Sequence, residues 1–99
     1  MPTNRMRPIH PGEILREEFL TPLEMTPHAL AVALHVPASR INDIVLGRRA
    51  LSADTAARLG RYFGTSAEFW LNLQAAYELR TIDQKDIART VRPMKKRAA

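Results

Sequence analysis

Residues 26–47 read TPHALAVALHVPASRINDIVLG, and this stretch decides the fold. Thr26 is a good N-cap, and Pro27 follows at the first helical position, where a missing N–H costs nothing. Leu30, Ala31 and Leu34 recur on one face, which predicts a short helix. His35-Val36-Pro37 interrupts it. A second helix starts at Ala38 or Ser39, turns Ile41, Ile44 and Val45 inward, and stops at Gly47, a residue free to take positive φ. Two short helices joined by a tight turn must cross steeply, as a helix-turn-helix does. At about 100° per residue, Ser39 and Asp43 point directly away from the apolar stripe, flanked by Arg40 and Asn42. A polar face that starts at a helix N-terminus suits the major groove. A solvated helix face in an ordinary bundle is the lesser alternative, which spacing alone does not exclude.

The rest of the chain narrows the choice. Its 99 residues make one small domain, and an apolar fraction of 45% suffices for a core. There are no cysteines, which removes disulfides, thiolate metal sites and a cysteine nucleophile and fits a reducing cytoplasm. No apolar run approaches the roughly 20 residues needed to span a bilayer. The opening MPTNRMRPIH has no apolar signal core. The expectation is a cytoplasmic, nucleoid-associated protein with no membrane contact. A net charge of +5 and a pI near 10.4 favour a polyanionic partner.

In chain order, residues 1–8 form an arm carrying Arg5 and Arg7, and residues 9–79 the folded domain. Pro11 opens the first helix, Glu13 can reach back to the His10 N–H, and Ile9 and Ile14 are spaced as a hydrophobic staple. Ile14, Leu15 and Phe19 face inward, and Thr21-Pro22 should end the helix near Leu20. After Gly47, Arg48 and Arg49 make a short basic loop suited to phosphates. Ser52 caps a fourth helix with Asp54 in its first turn, and Ala56, Leu59, Gly60 and Phe63 form its stripe. Ser66 caps a fifth, with Phe69, Trp70, Leu73 and Tyr77 on one side. Residues 80–99 are a C-terminal extension. Its Ile82, Ile87 and Val91 sit among charged residues, compatible with a frayed helix, a short strand or an extended arm. Arg89, Arg92, Lys95, Lys96 and Arg97 make a basic tail. The fold class is all-α, five helices plus the short extension.

Residues 26–66 resemble the helix-turn-helix of the Xre family, to which the Cro and cI repressors belong. The flanks are more specific. His10-Pro11-Gly12-Glu13, Gly47-Arg48-Arg49 and Phe69-Trp70-Leu71-Asn72-Leu73-Gln74 with Tyr77-Glu78-Leu79 are similar to the HigA/VapI antitoxins. The likeness covers roughly residues 8–80 and implies a lambda-repressor-like domain. It also implies a dimeric repressor of its own operon that neutralises a HigB-type toxin, an mRNA-cleaving ribonuclease. One residue departs from the pattern: His35 stands where the turn usually has Gly. His visits positive φ more readily than most residues, so the turn should be tolerated with slight strain. A pH-sensitive turn is the other reading.

No catalytic, metal or cofactor site is expected. His10, His28 and His35 lack metal-ligand spacing, and no Gly-rich phosphate loop is present. Two further readings stay open: a stand-alone Xre-type repressor without a toxin, and a helical protein-interaction module. The cluster of Arg40, Arg48 and Arg49 speaks against the module. On double-stranded operator DNA, Ser39 and Arg40 should read base edges from the helix start at Ala38, with Arg40 favouring guanine. Thr26, Asn42, Arg48 and Arg49 should hold phosphates. Asp43 should either pair with Arg40, the favoured reading, or accept from cytosine N4. A homodimer interface falls within residues 66–92, on Trp70, Leu73, Tyr77, Ile82, Ile87 and Val91, although Trp70 could equally close the core, since aromatics dominate both. The toxin should dock on the first helix, where Glu13, Glu17 and Glu18 cluster, and on the N-terminal arm, opposite the recognition helix; docking by the basic tail is the lesser alternative, since two basic surfaces repel.

Overall fold

The computed structural model describes residues 7–95. Arg5 of the arm and Lys96 and Arg97 of the tail lie outside them. Among the described residues every regular element is a helix: α1 (residues 11–23), α2 (Pro27–Leu34), α3 (Ala38–Val45), α4 (Ala53–Phe63), α5 (Ala67–Thr81) and α6 (Gln84–Thr90). The first five build the domain. The sixth lies in the extension, where the sequence leaves helix, strand and arm open. Asp83 decides for helix there, its carboxylate accepting the Asp86 N–H at 2.9 Å as an N-cap.

α1 departs from expectation at both ends. Glu13 does not reach back to His10. Its carboxylate is held by Arg7 at 2.8 Å, and the imidazole of His10 itself caps the helix, Nδ1 accepting the Gly12 N–H at 2.9 Å. Nor does Thr21-Pro22 end it. Leu15–Leu20 winds as a π-helix, with the Thr21 N–H bonded to the Arg16 carbonyl, and helix resumes through Leu23. A proline ring clashes with the carbonyl one α-turn earlier. The wider π turn shifts the bonding register just ahead of Pro22, which removes that clash. The helix stops at Glu24, in the left-handed region at φ 52°, where the Met25 N–H closes back on Leu20 at 2.9 Å. α2 ends the same way. His35 takes φ 60°, with the Val36 N–H on the Ala31 carbonyl at 3.1 Å. A non-glycine residue there costs on the order of 1 kcal/mol.

Leu15, Leu30, Ile41, Ile44, Leu59 and Trp70 are wholly enclosed and form the centre of one core. Trp70 packs on Phe19 with ring centroids 5.0 Å apart, and its indole N–H donates to Thr65 Oγ1 at 2.8 Å. Gln74 is buried on α5. It accepts the Leu51 N–H at 2.8 Å, which ties the loop after α3 to the body. Gly12 explains the short approach of α1 to α3. A methyl group at that position would lie 1.7 Å from the Ile44 carbonyl oxygen. The start of α1 therefore rests backbone to backbone on the last turn of α3 and holds that helix at a set angle.

Candidate nucleic-acid interface

α3 divides cleanly. Ile41 and Ile44 are fully buried, while Ser39 and Asn42 stand exposed. Ala38 does not join them. It is half-buried and packs on the core, so its side chain is off the groove face and only the start of its helix is presented. Thr26 begins α2 as expected. Its Oγ1 accepts the Ala29 N–H at 3.0 Å, and the hydroxyl, exposed at the surface, keeps its own proton to donate.

The charges pair differently from the sequence spacing. Arg40 is not bound to Asp43. Its Nη1 donates to Asp54 Oδ2 on α4 at 2.8 Å. Asp54 also accepts from Arg58 Nε at 2.9 Å, and Arg58 Nη1 reaches the Leu34 carbonyl at 2.9 Å, the last residue of α2. The hydrogen bond from Arg58, followed by that from Arg40, holds the Asp54 carboxyl below the usual carboxylate range. Asp43 instead faces the basic loop, 3.6 Å from Arg49 and 3.9 Å from Arg48. The reason is direction. Arg40 leaves α3 toward the start of α4, and Asp43, nearly one turn on, leaves toward the loop that folds back after Gly47. Arg48 and Arg49 remain well exposed, so these long ion pairs contribute little to stability and leave both guanidinium groups at the surface.

His10 underlies that loop. Its ring meets Tyr77 edge-on at 4.8 Å, lies against Gly47, and makes a backbone hydrogen bond with Arg49. Burial pushes its pKa below the ordinary value of 6.5, partly offset by the Arg49 bond. One imidazole thus links α1, α5 and the loop after α3. Asp54, Arg58 and His10 are absent from the groove-facing set that the sequence suggests. The Asp54–Arg58 spacing of four residues on one helix face was the available signal for the first two.

The residues assigned to a dimer interface separate. Trp70 is a correction, being fully buried in the core with no surface to offer. Leu73 and Tyr77 are half-buried beside a cavity of about 210 Å³ between α1 and α5, which Ile9 and Ile14 also line. Ile82, Ile87 and Val91 are 43%, 45% and 62% exposed. Among the described residues, no three His, Cys, Asp or Glu side chains gather as metal ligands, and no helix is long and apolar enough to cross a membrane.

Comparison with known proteins agrees with this geometry. A helix-turn-helix family model matches residues 15–70. Virulence-associated protein I of Dichelobacter nodosus is 59% identical over 81 residues, covering 82% of this chain and 75% of the relative. Antitoxin HigA-1 of Vibrio cholerae is 38% identical over 79 residues, 80% of this chain and 74% of its own. A solved structure of the Pseudomonas aeruginosa antitoxin HigA with the higBA promoter aligns at a TM-score of 0.85 and 54% identity. It covers 90% of this chain and 100% of the other.

Proposed function

The chain belongs to the helix-turn-helix family of the HigA antitoxins, and from that premise we propose that it binds operator DNA as a homodimer, represses its own operon and neutralises a HigB-type ribonuclease toxin. The observation that carries the DNA reading is the face of α3. Its apolar side is sealed in the core, and Ser39, Asn42 and the Arg40 guanidinium stand on the other side, next to exposed Arg48 and Arg49. Arg40 reads guanine and Ser39 an adjacent base edge. Thr26, Asn42, Arg48 and Arg49 hold phosphates. Asp43 tempers and orients the two loop arginines.

A single recognition helix covers only a few base pairs, so useful specificity needs two copies about 34 Å apart. The apolar residues of the extension, Ile82, Ile87 and Val91, are surplus to the monomer and support pairing with a second copy, together with Leu73 and Tyr77 beside the α1–α5 hollow. The protein works in the cytoplasm on the nucleoid and performs no catalysis of its own.

The test is a gel-shift titration on the promoter fragment upstream of the protein's own reading frame. Arg40→Ala should cost about 1–3 kcal/mol on the specific site and relax the preference at one position. If Arg40→Ala and Arg49→Ala both bind like the wild type, this contact map is wrong. Co-expression with the neighbouring reading frame tests the toxin half: a captured ribonuclease whose activity is lost in the complex supports it, and an unbound one removes it.

A further inference from the structure

We propose that Asp54 is a specificity-determining residue of DNA recognition: it touches no base, but sets the reach of Arg40. The inference rests on the reading of Arg40 as the guanine contact. The observation is a relay across three helices. The Leu34 carbonyl at the end of α2 accepts from Arg58, Arg58 donates to Asp54, and the same Asp54 oxygen accepts from Arg40 on α3, all at 2.8–2.9 Å.

Each link has a physical consequence. An arginine on a solvated helix face samples many rotamers, and ordering it at the moment of binding opposes affinity. Here Nη1 is already fixed by a charge-assisted bond, the stronger class of hydrogen bond. The other terminal nitrogen, Nη2, has no protein partner among the described residues and keeps its donors for a base edge. Arg40 is the more enclosed of the two, its side chain 29% exposed against 56% for Asp54, so the guanidinium has few alternative positions. Asp54 is in turn prevented from swinging outward by Arg58, which is anchored on backbone rather than on another mobile side chain. The first turn of α4 therefore aims the reading residue of α3. A carboxylate this close to DNA repels phosphate, so its presence weakens sequence-independent binding while sharpening the specific contact.

That opposition of signs gives the test. Selection of binding sites from a random duplex pool is run with the wild type and with Asp54→Asn, Arg58→Gln, Arg40→Ala and the Arg40→Ala/Asp54→Asn pair, each checked for folding by circular dichroism. Asp54→Asn should lower affinity for the selected site about fivefold, against the roughly 5- to 140-fold that losing a whole arginine–guanine contact costs. It should relax preference at the one position that Arg40→Ala relaxes, and bind random DNA as well as or better than the wild type. In the Arg40→Ala background it should relax preference no further, and should leave affinity unchanged or slightly tighter on all sequences alike, because the lost carboxylate no longer repels phosphate. Arg58→Gln should reproduce the same relaxation more weakly. If Arg40→Ala changes nothing, the guanine reading fails. If Arg40→Ala behaves as expected, Asp54 has no such role on any of three outcomes: Asp54→Asn leaves preference unchanged, tightens the selected site, or weakens binding additively with Arg40→Ala.

Discussion

α5 and α6 carry the same kind of side chain to opposite ends. Trp70 on α5 is wholly enclosed, whereas Ile87 and Val91, in and just after α6, are 45% and 62% exposed on a short helix that makes no extensive packing with the body. Both stretches read in sequence as apolar surface available for a partner. The difference lies in what stands opposite. Trp70 meets Phe19 on α1 and Phe69 on its own helix, and finds Thr65 for its N–H. Among the described residues α6 packs extensively against no other helix, and Ile87 and Val91 stay largely exposed. Large apolar residues thus serve the body in one region and are left over in the other, and that remainder supports the proposed pairing with a second copy.

The hardest attempt to break this contrast is Trp70→Ala. Emptying so large an enclosed site should destabilise the domain by about 3–5 kcal/mol, measured by urea unfolding. A variant that merely dissociates and keeps its melting temperature would return Trp70 to the interface. Next comes Ile87→Asp with Val91→Asp. The body should stay folded by circular dichroism, light scattering should report a monomer, and operator affinity should fall on the order of 100-fold as the two half-sites lose their linkage. A tight dimer would place the interface elsewhere. Arg49→Ala should weaken all sequences alike and reduce the salt slope by about 1.

Two smaller effects sharpen the same contrast. The folded His10 prefers the neutral form, since burial lowers its pKa from 6.5. Its contribution to stability is therefore whole above pH about 6.5 and is lost as pH falls from there through the lower folded value. His10→Asn should flatten the dependence of melting temperature on pH across that window. Removing residues 82–99, which contain no histidine, should leave the dependence in place. The smallest effect concerns the toxin. Arg7 holds Glu13 and Arg16 holds Glu17 at 2.9 Å, so the acidity of α1 is largely self-neutralised. Glu17→Lys with Glu18→Lys should weaken capture of the toxin only several-fold if docking uses α1. Normal capture would exclude α1, and its loss on deleting residues 93–99 would move the contact to the tail.

Much of the fold is legible without coordinates because it is local. Thr26, Ser52 and Ser66 each accept a backbone N–H three residues on, as their positions before apolar periodic runs predict. The left-handed His35 and Gly47 follow from the same punctuation. Pro22 is the exception among local signals. A proline ordinarily ends a helix, but the enclosed Leu15 and Leu20 on either side of the π turn hold α1 together through it. Packing outweighed propensity there.

The sequence by itself determined which residues face inward on α2–α4, where α2–α5 begin, and that α3 carries a polar outer face. These depend on helical period and on caps within a few residues. Only the tertiary structure decided which partner each charge takes and which apolar residues remain uncovered. Arg40 bonds to Asp54, 14 residues away, rather than to Asp43, three away. No spacing rule reaches that far, because the choice depends on where the fold brings the start of α4 beside α3. Backbone contact at Gly12 and the core shared by Ile41, Ile44, Leu59 and Trp70 position α3.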